Sequence, residues 1–522
     1  MKIPAVLRRV ALMVIAPVVG LGAQSQNLGT ISFPNSGAAA AQAPFIRGML
    51  LYHSFEYPAA AIAFREAQQA DPTFALAYAG EALTHTHQVW NRQDTAAAMA
   101  VLRRLAPTRA ERRARARTVR EQMYLDAVET LYGVGGKATR DTLFAAAIER
   151  IVLAHPQDDE ARVLHALALL GLSQSDRVEA SYMRAGAIAA DVLRRNPAHP
   201  GAAHMVIHAF DDPVHAPLGL WAARAYSKIA PAAAHAQHMT THIFLAMGMW
   251  DDVVSQNVVA SGPHAEHWRA HHYTTWLGYG YLQQGRYDEA RLHLLRARAN
   301  AVAPWRMGER PSLVMMRAAY LITSERWTDS IVGMSLAPIA SPTFRAIDAF
   351  ATGYAALKRG ERALAEQIAD SLDAYVTADP GAALENDPRV IRIIALEIRA
   401  ALMSARGRTD SAVALILEAA RQDDALPVEF GPPRLPKPPR ELAGEILLAA
   451  GRHLEAQREF TRALEQMPGR SRTLVGLARA AARSGDTDVA ASAAGQLLRN
   501  WHSSDASVAE RAEMERLRPE RP

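Results

Sequence analysis

Small and apolar residues recur along this chain in blocks at fixed offsets, and stretches that alternate between apolar and polar positions are scarce. Gly48, Leu51, Ala60, Phe64, Ala67 and Pro72 return as Gly444, Leu447, Ala456, Phe460, Ala463 and Pro468, and Gly278, Tyr281, Ala290, Leu294 and Ala297 carry the same spacing between them. A recurrence of this kind marks a repeat array, and the residue types say what each unit is. Glycine at Gly48, Gly278 or Gly444 lets two helices approach closely, with Ala60 or Ala456 facing it. Phe64, Leu294 and Phe460 fill the space between neighbouring pairs, and Pro72 and Pro468 stop the second helix. Gly285 to Ala290 and Gly451 to Ala456 supply the turn inside a pair, where glycine accepts a left-handed cap. Aromatics make up only 7% of the chain while Ala, Arg, Leu and Glu abound, which favours helices over sheets. The chain is predicted to be all-α, with no sheet between residues 41 and 500.

These positions match a helix-turn-helix signature of ~34 residues, and the chain resembles the tetratricopeptide-repeat family. Weaker copies lie around Gly248 to Trp250, Arg326 to Trp327, Gly360 to Ala365, Gly407 to Ala412 and Gly485 to Ala490. The resemblance implies a superhelical α-solenoid whose concave groove holds a protein or peptide segment or a small ligand. Pro304, Gly308 and Pro311 mark a loosened join, dividing the chain into an N-terminal array over 41–300 and a C-terminal array over 312–505. The proline-rich stretch 427–439 reads as an extended connector, and the charged, aperiodic residues 506–522 as a mobile tail.

Lys2, Arg8 and Arg9 precede an apolar run from Val10 to Val19 and the small-residue stretch Gly20 to Ala23. That order predicts a signal peptide over 1–23, a mature chain starting near Gln24 and a periplasmic or secreted protein. The run is far shorter than the ~20 residues that span a bilayer, so the mature chain is expected to have no membrane span. With no cysteine there is no disulfide and no thiolate metal site. The net charge of +5 loses three positive charges with the leader, leaving +2. One dense run of arginines, Arg103 to Arg120, has no aromatic before Tyr124, which argues against nucleic-acid binding and predicts a solvated helix face.

Eleven of the 19 histidines fall between residues 199 and 272. Counted from the turn at Gly248 and Trp250, His235, His238 and His242 take the second, fifth and ninth places of their repeat. At ~100° per residue their side chains lie within about 60° of one another. Counted from Asn196-Pro197, His204, His208, Asp211 and Asp212 take the fifth, ninth, twelfth and thirteenth places. Counted back from Gly285, His272 takes the second and Tyr279 the ninth, while His53 and His87 take the thirteenth place of the first two repeats. The family resemblance implies that these places line the groove. Five such places in a ~34-residue repeat would catch about two of eleven histidines by chance, and six land there.

His204/His208 and His238/His242 are i,i+4 pairs, a spacing that lets two imidazoles reach one ion from a single helix face. With Asp211 or Asp212 and His272 they predict a mixed nitrogen and oxygen shell for a divalent transition metal: zinc, iron, copper or nickel. Affinity is expected to fall below about pH 6 as imidazoles protonate. Two other readings stand beside it: histidines as ordinary core and surface residues, or a groove that binds an anionic or peptide ligand through imidazole hydrogen bonds.

Other chemistry is sparse. His204-Met-Val-Ile-His208 lacks the internal glutamate of a zinc-protease helix, Gly133 to Lys137 lacks phosphate-loop spacing, and no Gly-x-Ser-x-Gly elbow occurs. Glu441, Glu445, Arg472 and Arg479 are expected to line the far end of the groove, as charge pairs or to capture a peptide terminus. The strings His199 to His204, His208 to Asp212 and His235 to Phe244 resemble those of a group of exported bacterial tetratricopeptide-repeat proteins, with Thr240-Thr241 in place of Pro-Ser and Trp276 in place of tyrosine. The leading expectation is a non-enzymatic binding scaffold with a His/Asp metal site in its groove. The alternative is a metal-dependent enzyme, of hydrolase or oxygenase type, using the same cluster with an Asp or Tyr279 as proton carrier.

Overall fold

A computed structural model describes residues 27–172, 177–262, 269–306, 308–377, 386–428 and 430–518. The leader expected over 1–23, together with His264 and His267, lies outside the described residues.

The chain folds as a succession of antiparallel helix pairs. Ala39–His53 packs on Tyr57–Ala70, Pro200–Phe210 on Ala216–Ile229, Ala234–Ala246 on Trp250–Ser261 and His272–Gln283 on Tyr287–Asn300. The series ends with Pro439–Ala449 on His453–Gln466 and Ser471–Ser484 on Thr487–Asn500. The result is an all-α superhelical solenoid of helix-turn-helix units. One small departure from the sheet-free expectation is a two-residue antiparallel ladder in which Thr86 faces Gln93 and His87 faces Arg92. It closes the irregular turn around Asn91, whose φ of 53° breaks the helix.

The repeat glycines work against the aromatic ring rather than against Ala60 or Ala456. A Cβ added at Gly48 or Gly80 would lie 2.7 or 2.5 Å from the Phe64 ring, and one at Gly444 or Gly476 2.7 or 2.3 Å from Phe460. Each phenylalanine is therefore clamped between a glycine of its own pair and one of the next. Gly278 has more room, because its repeat carries Leu294 in the ring's place. The turns inside the pairs use left-handed glycines, with φ of 68° at Gly248, 67° at Gly285 and 77° at Gly451.

Two expectations about chain organisation need correction. The buried core is continuous across 301–312 and changes over earlier, around residues 270–282, where Tyr279 packs with the preceding residues while Leu282 shares a cluster with Ala290, Leu294, Leu313 and Met316. The expected mobile tail is ordered up to Arg518: the helix Arg511–Leu517 buries Met514, while Glu510 and Glu513 each pair at 2.7 Å with Arg472 and Arg479. The arginine run is also not a plain solvated face, since Arg112 is buried on Glu129 at 2.7 Å and Arg120 meets Asp158 at 2.7 Å. No helix among the described residues is long and apolar enough to cross a membrane.

Residues distant in sequence then close the array on itself. Trp250 Nε1 donates to the Gly469 carbonyl at 3.0 Å, and the Ser471 amide donates to Gln283 Oε1 at 2.8 Å. A Cβ at Gly248 would lie 2.5 Å from the Pro468 carbonyl oxygen, so this contact requires glycine. The proline-rich connector is held against the inner helices by this closure, with Pro432, Pro433 and Pro436 lining a narrow cleft with Gly278, Tyr279 and Met316.

Candidate metal centre

Three successive inner helices supply the histidines: Pro200–Phe210 carries His204 and His208, Ala234–Ala246 carries His235, His238 and His242, and His272–Gln283 opens with His272. Helical spacing aims each set at one side, and stacking of repeats brings the sets together. Two three-histidine groups result, His204/His208/His235 and His238/His242/His272, each with one nitrogen per residue within 4.8 Å of the others. The first is fully buried, whereas in the second His272 is exposed.

On five of the six rings the nitrogen facing away from the centre is engaged. His204 Nδ1 donates to the His53 carbonyl at 2.7 Å, and His235 Nδ1 meets the Tyr273 hydroxyl at 3.1 Å. Asn257 donates its amide to Val253 and Thr241, so its Oδ1 accepts from His238 Nδ1 at 2.7 Å. Asp211 Oδ2 serves two rings, His242 Nδ1 at 3.2 Å and His208 Nδ1 at 3.4 Å. Where the partner can only accept, as for His204, His208, His238 and His242, the proton of the neutral ring lies on Nδ1 and Nε2 is a bare lone pair, whereas the Tyr273 hydroxyl can donate to His235 or accept from it. Nε2 of His204, His208 and His235 is buried and has no hydrogen-bond partner among the described residues. His238 and His242 face each other Nε2 to Nε2 at 3.3 Å, two acceptors in direct opposition. Two nitrogens bound to one tetrahedral ion at ~2.0–2.1 Å are themselves about 3.3 Å apart.

Burial pushes His204, His235 and His238 well below the ordinary histidine value, and neighbouring imidazoles add to the effect. Burial also lowers His242, against the opposing pull of Asp211. Rings kept neutral present donor lone pairs at neutral pH. Burial works against ionisation of Asp211, but hydrogen bonds from His208 and His242 outweigh it and hold the carboxyl well below the usual carboxylate range. Its other oxygen accepts from Arg177 at 3.0 Å.

Aromatic rings wall the centre. Tyr273 stacks on His238 and Trp276 on His242, both with centroids 4.4 Å apart, and Phe55 lies 4.2 Å from His204. Phe55 adopts φ of 53°, a strained conformation for a bulky residue, and this places its ring against His204, His208 and His235 together.

Beside the two all-imidazole groups, His208/Asp211/His242 brings together a mixed nitrogen and oxygen set of the kind expected, and His53/Glu160/His199 forms a further buried group. Asp211 stands behind the rings with both oxygens occupied. Asp212 is turned away, caps the Val214 and His215 amides at 2.9 Å and pairs with Arg177 at 2.8 Å. His53 does not join the cluster: it shares the buried Glu160 with His199, at 2.7 and 3.1 Å, and reaches His204 through its carbonyl. Burial opposes ionisation of Glu160, yet the two histidines hold it at about 2. His87 lies apart, stacked on Tyr57 at 4.2 Å. The far-end residues are absorbed into ion pairs instead of facing a ligand. Glu441 is buried with Arg470 at 2.8 Å, Tyr279 accepts from Arg470 at 3.0 Å and Glu445 pairs with Lys437. Arg472 meets Glu325 and Glu510, both at 2.7 Å, and Arg479 meets Glu513 at 2.7 Å.

Sequence reasoning did not find Glu160, Arg177, Asn257, Tyr273, Phe55 or Phe430 as parts of this region. Asn257 and Tyr273 were findable in principle, as polar residues on helices flanking the histidine stripe. Phe430 sits in an aperiodic segment and carried no signal.

The fold and the centre together define a helical-repeat solenoid with a buried histidine cluster in its inner face. No protein-family model matches the chain, and no curated protein matches it. Among solved structures it is similar to the human IFIT1 dimer with PPP-AAAA, at 14% identity and a TM-score of 0.40 over 91% of this chain and 98% of that one. It is similar to yeast Tom70 at 9% identity and 0.27, over 91% and 94% of the two chains. The Cut9–Hcn1 assembly gives 11% and 0.31, over 92% and 97%. The fold assignment rests on the helix pairs themselves.

Proposed function

We propose that this protein is an exported helical-repeat scaffold whose groove holds divalent transition metal on histidine. The observation that carries the reading is the convergence of buried Nε2 atoms that have no hydrogen-bond partner among the described residues, each on a ring fixed from behind through Nδ1. A buried donor or acceptor without a partner costs about 1–3 kcal/mol, and three such nitrogens side by side are explained by an ion that takes their lone pairs. Backing of His208 and His242 by Asp211, of His204 by a carbonyl and of His238 by Asn257 is the support that fixes tautomer and orientation in metal sites. An all-imidazole donor set suits zinc, copper or nickel better than magnesium or calcium. The pattern of residues 1–23 supports export, and N-terminal sequencing of secreted material is expected to start near Gln24.

The test is metal titration of the full-length, untagged mature protein with zinc and copper, alongside a His204→Ala/His238→Ala double variant. Tight binding by the wild type that the variant lacks, at unchanged helicity, supports the reading. Equal weak binding by both refutes it.

A further inference from the structure

The two histidine groups differ in access, and that difference has chemical content. His204, His208 and His235 are all buried, with Phe55 packed against the three rings. In the other group His238 and His242 are buried, but His272 is exposed and lines a cavity of about 380 Å³. Trp276, Met315, Phe344, Phe430 and Pro432 form much of the cavity wall. Three protein ligands leave a tetrahedral ion one further position. In the closed group that position faces packed rings, while in the open group it can face the cavity.

We infer that the His238/His242/His272 ion is the exchangeable one, and that its further ligand is the oxygen of a small phenol-type aromatic molecule seated in this cavity. The inference rests on the metal reading above and adds to it the access route and the ligand class. Size comes first, because a volume of this order lies at the small end of ligand pockets and suits a molecule of one or two rings. The wall is the second argument: Trp276, Phe344 and Phe430 present flat apolar surface to a ring, and Met315 offers a sulfur at an aromatic edge. Charge is the third. No Lys or Arg lines the cavity among the described residues, so a ligand carrying its own carboxylate would find no cationic side chain there. A single hydroxyl that releases its proton to solvent only as its oxygen binds the metal meets this wall without an unpaired charge. Trp276 joins the two parts, stacking on His242 with centroids 4.4 Å apart while lining the cavity.

The experiment uses full-length protein loaded with cobalt(II), whose visible bands report changes in coordination. Azide probes the open position alone, and p-cresol probes the position and the cavity together, with cyclohexanol as a non-aromatic control. The expected result is saturable perturbation of the bands by azide and by p-cresol, in competition with each other, and none by cyclohexanol. Phe344→Ala is expected to weaken p-cresol about tenfold, the loss of one aromatic wall contact, while azide is unaffected. Met315→Ala provides the same comparison if Phe344→Ala fails to fold. His272→Ala is expected to abolish both responses while cobalt remains in the buried group. Azide binding without p-cresol binding overturns the ligand class and leaves the metal reading standing. Responses that persist in His272→Ala overturn the assignment of the open group. Failure to bind cobalt, zinc or copper at all overturns both.

Discussion

Phe430 stacks on His242, with ring centroids 5.2 Å apart and planes inclined by 28°. The same ring meets His208 edge-on at 6.2 Å, so one residue of the proline-rich connector touches a histidine of each group. Gly431 follows with φ of 110°, and a Cβ there would lie 2.6 Å from the Trp276 ring. The connector is thus built to approach the centre closely. Phe430→Ala removes a cover without removing a ligand, so metal should still bind but leave faster, by about tenfold for the loss of one buried aromatic contact. Chelator-induced release followed in real time measures it, and an unchanged rate would show that the ring does not shield the centre.

Asp211 Oδ2 reaches both His208 and His242, so its charge orients the two rings. Asp211→Asn keeps the shape and removes the charge that orients both rings. Metal affinity should fall about 10- to 100-fold, the usual effect of losing such a backing carboxylate. Asp212→Asn is the control, since Asp212 caps Val214 and His215 and touches no histidine of either group. It should lower thermal stability and leave metal affinity unchanged. Competition against a chelator of known affinity separates the two variants.

Gly201 lies where a Cβ would meet His53 Nδ1 at 2.3 Å and Val163 at 2.9 Å. Alanine favours a helix interior by about 1 kcal/mol over glycine, but overpacking a core costs about 1–3 kcal/mol. The clash should win here, because His53 is pinned to Glu160 and cannot retreat without breaking that bond. Gly201→Ala should therefore be destabilised in urea titration and should disturb His204, which leans on the His53 carbonyl.

Much of this fold was legible in the chain, because repeat positions are set by local packing that recurs. Gly48 with Phe64 and Gly444 with Phe460 declare the same clamp at both ends. The histidine stripe was legible for the same reason: a helix carries residues of equal phase to one side, so counting from Gly248 places His235, His238 and His242 together. What could not be read is whatever depends on closure of the array. Nothing local to Glu441, Arg472 or Arg479 shows that Arg470, Glu510 and Glu513 return to neutralise them. Nothing near Pro427 shows that the connector turns inward. The carboxylates at 211 and 212 look alike in sequence, and only Arg177 and the histidines around them assign different roles.

Acid should unfold the protein in a way one residue can expose. Burial lowers His293 from 6.5 to about 4, with its Nε2 on the Thr274 carbonyl at 2.8 Å. A depressed histidine means that the folded state binds fewer protons, so its contribution is fully present above pH 6.5 and is lost as pH falls through the window to about 4. A shift of this size corresponds to about 3 kcal/mol across that window. His293→Gln, which retains a donor without the titration, should flatten the fall in urea-derived stability over that range. An identical slope in variant and wild type would remove His293 as a contributor.

The central claim is that the inner-face histidines hold transition metal, and the most direct measurement is the metal-to-protein ratio of untagged, full-length mature protein. The protein is equilibrated with zinc or copper and passed through a desalting column, then analysed by elemental mass spectrometry beside the His204→Ala/His238→Ala variant. The account predicts two ions per chain in the wild type, one for each histidine group, and none in the variant at matched helicity. A wild type that retains no more metal than the variant would contradict it.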